Sequence, residues 1–179
     1  MMKAESLDLQ LPEGVRVSQL EDHQDDRGQL TELYRKSWAE DEFEIIQWNA
    51  VRSEAKVLRG VHAHREHWDY LTVVQGEVLF GLHDLRRGSS TEGLSAMVTL
   101  RGEATGSLVI PPGVAHGFYF PQPSIYVYGV SAYWNMEDEL GCHFQAPELK
   151  LVWPDHNPRL SPRDQEQVPY QQLVEDYHR

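Results

Sequence analysis

The segment from residue 57 to residue 76 concentrates side chains that can bind metals or move protons: His62, His64, His67 and Asp69. We predict a β-hairpin here, and because successive side chains of a strand point to opposite faces, His62 and His64 should share one face. Another histidine, His116, follows about fifty residues later, behind a Pro-Pro-Gly turn. These residues can form a metal site, act as acid and base on a substrate, or fill a polar interior with hydrogen bonds.

The metal interpretation uses four of these side chains. His62, His64, Asp69 and His116 supply three imidazoles and one carboxylate, a set that suits iron, manganese, nickel or zinc. Their spacing resembles the first motif of metal-binding cupins, with Asp69 where glutamate is usual. Residues 106–116 resemble the second motif, with one residue fewer between its glycine and its proline. A divalent transition metal held by these four residues is therefore one hypothesis.

The elements that must position these residues are short strands. Apolar alternation or β-branched and aromatic enrichment predicts strands at 15–17, 29–34, 43–51, 70–74, 78–82, 96–100, 107–110, 114–120 and 125–133. Turn clusters separate them at 25–28, 88–93 and 102–106. Short strands at this spacing indicate an all-β sandwich or barrel. We expect the strand that carries His116 to run antiparallel to the strand before it.

The length of 179 residues fits a single domain. Within it we expect residues 1–14 to form a flexible N-terminal arm and residues 155–179 to form a C-terminal tail without strands. Ser161 followed by Pro162 predicts a helix start, with serine as the N-cap and proline as the first helical residue. Residues 165–177 should then form one or two short helices.

Composition limits the classes of function. The net charge of −12 argues against a nucleic-acid partner, because such proteins need a basic face. The sequence shows neither a signal peptide nor a long apolar run, so we expect no membrane partner. The single cysteine, Cys142, is compatible with a reducing compartment, and we expect a cytoplasmic protein. A nucleotide ligand stays possible, because a few donors such as Arg27 and Arg59 suffice for its phosphates.

Ordered matches to one enzyme family run along most of the chain: Asp26-Arg27-Gly28, Gln47-x-Asn49, Val57 to His62, Gln75 to Val78, Asp84-Leu85-Arg86, Ile110 to Phe118, Trp153-Pro154 and Leu160 to Asp164. On these motifs the chain resembles the dTDP-4-dehydrorhamnose 3,5-epimerases from about residue 15 to residue 165. That family adopts the cupin jelly-roll β-barrel. The resemblance therefore implies an all-β fold of this kind with a short, partly helical C-terminal tail.

The resemblance also implies an activity. The family epimerises nucleotide-linked 4-keto-6-deoxyhexoses at C3, C5 or both, and requires no cofactor and no metal. The C4 ketone acidifies the neighbouring C–H groups, so that a base can remove a proton and an acid can return one on the other face. By resemblance His62 is the base, Asp164 orients its imidazole, and Tyr128 is the proton donor. From the residues alone, a role for Tyr128 as a core tyrosine of a sheet is equally consistent with the sequence.

The resemblance further implies a ligand set for a dTDP-type nucleotide sugar. Arg59 matches a residue that meets the diphosphate, and Gln47 and Asn49 match polar contacts to the nucleotide. His116 matches a histidine near the sugar. Two further positions, Arg27 and Glu32, match residues that are contributed across the interface of a homodimer.

One position departs from the family. Asp69 stands where the family has a lysine that stabilises the C4 enolate, and loss of such a donor typically costs about 3 kcal/mol of transition-state stabilisation.

Three hypotheses remain open. The chain is an epimerase in which Arg65, His67 or another cation supplies the missing charge. Alternatively it is a metal-dependent cupin, in which the ion polarises a substrate carbonyl. The third hypothesis is a cupin that binds a nucleotide sugar without catalysis.

Overall fold

The described part of the chain is built almost entirely from strands. The computed structural model describes residues 10–39 and 42–179, so most of the predicted arm at 1–14 lies outside the described residues. The strands in chain order are β1 (Arg16–Gln19), β2 (Asp22–Asp25), β3 (Gly28–Thr31), β4 (Gln47–Ser53), β5 (Val57–Ala63), β6 (Asp69–Gln75), β7 (Glu77–Asp84), β8 (Ser95–Arg101), β9 (Gly106–Ile110), β10 (Val114–Phe120), β11 (Ser124–Val130) and β12 (Leu140–Gly141). The helices are α1 (Pro162–Gln165) and α2 (Tyr170–Tyr177), with short 3-10 turns at Lys36–Ala39, Met136–Asp138 and Pro147–Leu149.

Two five-stranded sheets form the body of the fold. The first has the strand order β1-β9-β6-β11-β4, and the second has the order β12-β5-β10-β7-β8. Neighbouring strands pair antiparallel in both sheets, and β2 and β3 form a separate hairpin. This arrangement confirms the predicted all-β, cupin-like jelly roll.

The main apolar core lies between the two sheets. Strand β8 shows how the sequence produces it, because Ala96, Val98 and Leu100 are buried while the residues between them are partly exposed. Two-residue periodicity of this kind turns one face of a strand inward. Large side chains of both sheets, including Leu71 and Phe80, are fully buried in this core.

The predicted hairpin at residues 57–76 is wrong. Strand β5 lies in the second sheet beside β10 and β12, whereas β6 lies in the first sheet beside β9 and β11. Residues 64–68 cross from one sheet to the other. The strand with His116 likewise pairs with β5 and β7 rather than with its predecessor β9. Alternation of side chains identifies a strand and its buried face, but it carries no information about which strand lies alongside.

The C-terminal tail packs on the outer face of the second sheet. Ser161 is the N-cap of α1, where its hydroxyl accepts the Asp164 N–H at 3.1 Å, and Pro162 is the first helical residue, as predicted. Leu173 of α2 is 1% exposed and belongs to a second apolar cluster with Leu58 and Trp153. No helix in the described ranges is long and apolar enough to cross a membrane.

Candidate active site

A cavity of about 500 Å³ opens between the two sheets. Both sheets and the tail contribute titratable side chains to its lining: His62, His64, Asp69, His116, Tyr128 and Asp164. Because β5 and β6 belong to different sheets, His62 and Asp69 reach the cavity from opposite walls. The crossing between these strands therefore creates the site.

Two neighbouring strands of the second sheet carry His62 and His116. These residues form a cross-strand pair between β5 and β10. Gly60 lets the strands approach closely here, because its φ is +110° and a Cβ at this position would lie 2.8 Å from the carbonyl oxygen of His116. The glycine thus permits the strand geometry that places both imidazoles at the cavity.

His62 forms a hydrogen bond with Asp164. Its Nε2 lies 2.7 Å from Asp164 Oδ1, and the Ser161 hydroxyl donates to Asp164 Oδ2 at 2.7 Å. Burial raises the pKa of Asp164, but hydrogen bonds from His62 and Ser161 and the nearby charge of Arg163 outweigh it and hold that pKa below its ordinary value. Since a carboxylate only accepts hydrogen bonds, the neutral form of this imidazole carries its proton on Nε2 and its lone pair on Nδ1. This arrangement leaves His62 with a basic nitrogen.

Tyr128 approaches from the first sheet. It lies on β11 opposite Asn49 of β4, half-buried, with its ring stacked on that of Tyr126 at 5.7 Å between centroids. Burial, followed by the negative groups Asp69 and Glu139, raises the pKa of Tyr128, and Arg59 lowers it less. The phenol therefore keeps its proton at neutral pH and can donate it.

Asp69 faces two histidines across the cavity. Its Oδ2 lies 3.7 Å from His67 Nε2 and 3.9 Å from His116 Nε2, and all three side chains are about 95% buried. Burial, reinforced by Glu139, raises the pKa of Asp69 well above its ordinary value, while burial lowers that of His116 well below its own. For His64, burial lowers the pKa to about 3. Neutral imidazoles form no ion pair with Asp69, so these contacts are not salt bridges.

The predicted four-ligand metal set is not found as predicted. His64, Asp69 and His116 have ligand atoms that all lie within 4.8 Å of one another, but His62 is not part of this cluster. The reason is that His62 Nε2 is hydrogen-bonded to Asp164 of the C-terminal tail. In a second cluster, formed by His64, His67 and Asp138, the ligand atoms also lie within 4.8 Å of one another.

Three of the predicted substrate-binding residues also line the cavity. Gln47 and Asn49 point to it from β4 and are bonded to each other, Gln47 Nε2 donating to Asn49 Oδ1 at 3.0 Å. Arg59 lies at the mouth, exposed, and its Nε donates to Ser53 Oγ at 3.2 Å. Their roles towards a substrate stay predictions.

Arg27 and Glu32 are not among the described residues that line this cavity. Both are exposed, Arg27 in an ion pair with Asp25 and Glu32 in one with Arg35 at 2.5 Å. Within one chain these two predicted residues therefore do not reach the site.

The positive charge that the first hypothesis sought does not come from Arg65. This side chain is exposed and donates to backbone carbonyls at the end of α2, those of Asp176 and Tyr177. His67 does line the cavity, but burial lowers its pKa and leaves it neutral. No lysine occurs among the described residues of the lining, whose other cations are Arg59, Arg159 and Arg163, the last paired with Glu139 at 2.8 Å.

Sequence reasoning missed an acidic segment after β11. Asp138 accepts backbone N–H groups of Arg65 at 2.8 Å and Glu66 at 3.3 Å, which fixes the crossing between β5 and β6. Glu139 lines the cavity and is paired with Arg163 at 2.8 Å. Nothing in the local spacing marks these residues, since their partners are distant in sequence.

Comparison with known proteins shows that the chain is similar to one enzyme family. The family model described as dTDP-4-dehydrorhamnose 3,5-epimerase matches residues 9–172. A dTDP-4-dehydrorhamnose 3,5-epimerase of Neisseria gonorrhoeae is 33% identical over 165 residues, covering 88% of this chain and 50% of its own length. The enzyme of that name from Pseudomonas aeruginosa is 33% identical over 150 residues, covering 79% of this chain and 83% of its own.

A solved structure is similar over the same region. The dTDP-6-deoxy-D-glucose-3,5-epimerase of Legionella pneumophila, in complex with dTDP-4-keto-L-rhamnose, superimposes with a TM-score of 0.82 at 29% identity. The match covers 89% of this chain and 91% of that one. The chain spans half the length of the Neisseria relative but nearly all of this structural neighbour.

Proposed function

Because the chain belongs to the dTDP-4-dehydrorhamnose 3,5-epimerase family, we propose that it is an isomerase that inverts C3, C5 or both of a nucleotide-linked 4-keto-6-deoxyhexose. One observation carries this proposal. The His62–Asp164 pair lines one wall of the cavity and Tyr128 lines the opposite wall. A base and an acid on opposite sides of a sugar ring are what inversion of a carbon centre requires.

In the proposed reaction, His62 Nδ1 removes the proton from the carbon next to the C4 ketone. The Asp164 carboxylate holds the imidazole in the required tautomer and stabilises the imidazolium that forms. The electron pair of the C–H bond moves into an enolate, whose negative charge rests on the C4 oxygen. The step moves protons without net oxidation, and so we propose that it needs no organic cofactor.

Tyr128 completes the inversion by donating its phenolic proton to the same carbon from the opposite face. The carbonyl is restored, and water then returns a proton to Tyr128 and removes one from His62. Because the pKa of Tyr128 is raised, its phenol is protonated before each turnover. Its placement on the wall opposite His62 supports this role.

We assign the nucleotide to the polar side of the cavity. Arg59 at the mouth has the planar fork that suits a diphosphate, and the amides of Gln47 and Asn49 suit a nucleobase. The structural neighbour from Legionella is a complex with a dTDP sugar. A dTDP-linked sugar is therefore the proposed substrate, with His116 beside its ring.

Exchange in deuterated water tests the proposal. The enzyme incubated with a dTDP-4-keto-6-deoxyhexose should incorporate deuterium at C3, C5 or both, as read by NMR or mass spectrometry. His62→Asn should lower the exchange rate by roughly 10²- to 10⁴-fold, the usual contribution of a general base. The exposed His156 provides the matched control, and His156→Asn should leave the rate unchanged. Tight nucleotide-sugar binding without any exchange would identify a binding protein instead.

We also propose that the protein works as a homodimer. The β2–β3 hairpin with the adjoining Glu32 is exposed and does not line its own cavity, which supports its insertion into that of a second chain. Arg27 and Glu32 would then act in the partner's site. Light scattering coupled to size-exclusion chromatography gives the mass in solution, and a monomer at enzyme-assay concentrations would contradict the proposal.

We propose the cytoplasm as its location. The free thiol of Cys142 is buried, and a lone unpaired cysteine is compatible with a reducing compartment. Cell fractionation that recovers the protein outside the cytoplasmic fraction would contradict this.

A further inference from the structure

The buried side chains of His64, Asp69 and His116 lie close together in the cavity. Asp69 is 4% exposed, and no described side chain or backbone N–H is placed to donate a hydrogen bond to its carboxylate. His64 and His116 contribute nitrogens to the same cluster, all within 4.8 Å. A carboxyl group that lacks a protein donor and faces two imidazole nitrogens across a cavity offers the kind of ligand set that binds a positive ion.

The hydrogen bonds of the two histidines to backbone carbonyls fix which nitrogen carries the proton in the neutral ring. His116 Nδ1 lies 3.0 Å from the carbonyl oxygen of Val114, and His64 Nδ1 lies 3.3 Å from that of Asp138. Because a carbonyl only accepts, both Nδ1 atoms carry protons and both Nε2 atoms carry lone pairs. In metal sites the second nitrogen of a ligating histidine makes the same kind of bond to a carbonyl or carboxylate.

We propose that His64, Asp69 and His116 bind a divalent transition-metal ion, and that this ion holds the C4 oxygen of the sugar while His62 removes the neighbouring proton. The second half of this inference rests on the proposed epimerase function. The first half, a metal site of three ligands, stands without it.

The donor set indicates the class of ion. Two neutral imidazoles and one carboxylate suit zinc, iron(II), manganese, cobalt or nickel, and three protein ligands leave coordination positions open for a substrate oxygen. Ligand atoms around one such ion lie roughly 3 to 3.5 Å apart. The separation of 3.9 Å between His116 Nε2 and Asp69 Oδ2 is wider, so the side chains must move inward when they bind it.

The site separates two tasks that one histidine cannot perform together. An imidazole nitrogen bonded to a metal cannot also remove a proton. His62 is held by Asp164 outside the cluster, so it stays free as the base. The ion would take the charge-stabilising role of the family's lysine, whose position Asp69 occupies. As His62 takes the proton, the electron pair of the C–H bond becomes enolate charge on the C4 oxygen, next to the ion. Protonation by Tyr128 returns that pair to carbon and restores the ketone, so the ion is neither oxidised nor reduced.

The second cluster competes for the same His64. Its Asp138 carboxylate, however, already accepts backbone N–H groups of Arg65 and Glu66 and lies 3.7 Å from His67 Nδ1. No described N–H group donates to the carboxylate of Asp69. Asp69 and His116 are therefore the more favourable ligands, and His67 lies beside the site.

Cobalt binding tests the site independently of activity. The full-length protein, stripped with chelator and titrated with Co²⁺, should bind about one equivalent, with visible absorption from the coordinated ion and a raised melting temperature. Asp69→Asn, His64→Gln and His116→Gln should each weaken binding by tenfold or more. The variants His62→Asn, His67→Gln and the surface control His156→Gln should bind as the wild type does. Circular dichroism of each variant verifies folding.

Several results would overturn the site. If the wild type binds no Co²⁺ or Zn²⁺, then the metal site is refuted. If His67→Gln abolishes binding and His116→Gln does not, then the ion lies at the second cluster. Loss of binding in His62→Asn would show that His62 is a ligand and refute the separation of tasks.

Deuterium exchange then separates this inference from the proposed function. Metal-free enzyme should exchange at least tenfold more slowly than enzyme reloaded with metal. Equal exchange with and without metal would refute the role of the ion and leave the epimerase intact. A metal bound with full occupancy and no exchange on any 4-keto sugar would refute the epimerase and leave the metal site intact.

Discussion

At the scale of single residues, the contact between His62 and Asp164 decides which ring nitrogen can accept a proton. The carboxylate at 2.7 Å accepts from Nε2, which leaves Nδ1 as the nitrogen that can accept a proton. In the proposed reaction Asp164 is therefore a positioning residue. Its hydrogen bonds to His62 and Ser161 also contribute to stability, because they favour the ionised form.

Asp164→Asn should reduce the exchange rate by roughly 10²- to 10⁴-fold, because the amide N–H₂ can donate to Nε2 and drive the proton to Nδ1. A kcat loss with little change in KM is expected, and rate measurements at saturating substrate check it. Glu166→Gln, a neighbouring exposed carboxylate of the tail, is the control. A variant that exchanges as fast as wild type would show that Asp164 does not orient the base.

The lowered pKa of Asp164 also predicts how stability depends on pH. A carboxyl whose pKa is lower in the folded state stabilises the fold above the unfolded pKa, near 3.9, and this contribution disappears as pH falls through the folded value. Urea unfolding should thus show wild type more stable than Asp164→Asn near neutral pH. The difference should narrow below about pH 4. A difference that widens on acidification would contradict the cause given for the shift.

At the scale of elements, the crossing between β5 and β6 positions the candidate site more than any single strand does. It puts His62 and Asp69 on opposite walls, and Asp138 fixes it through two backbone N–H groups. Helix α2 supports the second sheet from outside. Its Leu173 is 1% exposed within the cluster of Leu58 and Trp153.

Leu173→Ala should lower the free energy of unfolding by about 2 to 5 kcal/mol, because a buried leucine is truncated in a packed cluster. Since Leu173 does not line the cavity, exchange activity at low temperature should be retained. Chemical denaturation measures the loss, and Val168→Ala, at a residue that is 37% exposed, is the control. Equal stability of the two variants would show that α2 does not support the sheet.

Particular elements show what the sequence could predict. Alternation located many of the strands, such as Ala96 to Leu100, but not the short β2 and β12, and the Ser161-Pro162 pair located the start of α1. Both are local signals, readable within a few residues. The partner of β5 and the contacts of Glu139 were not predicted, because they depend on which distant segments meet. The predicted hairpin was wrong for this reason, since period and turn signals do not determine pairing.

At the scale of the whole molecule, the exposed β2–β3 hairpin is the element that we propose completes the cavity of a second chain. If Arg27 serves the partner's cavity, Arg27→Ala should raise KM roughly tenfold through loss of a charge-assisted hydrogen bond. The same variant should leave stability unchanged, because the side chain is 85% exposed and its ion pair within the described ranges is with nearby Asp25.

Mixing Arg27→Ala chains with His62→Asn chains tests whether Arg27 acts in the partner's cavity or in the cavity of its own chain. In a mixed dimer, the Arg27→Ala chain keeps its base and receives an intact hairpin from the His62→Asn chain, so one of its two sites is whole. Random exchange of subunits makes about half of the dimers mixed, and at low substrate the mixture should recover about a quarter of wild-type activity. Arg27→Ala mixed with a chain that carries both substitutions is the control, and it should show only the residual activity of Arg27→Ala sites, about a twentieth of wild type at low substrate. Recovery no higher than that control would show that the hairpin does not act across the interface, since a residue that serves its own cavity cannot be supplied by a partner.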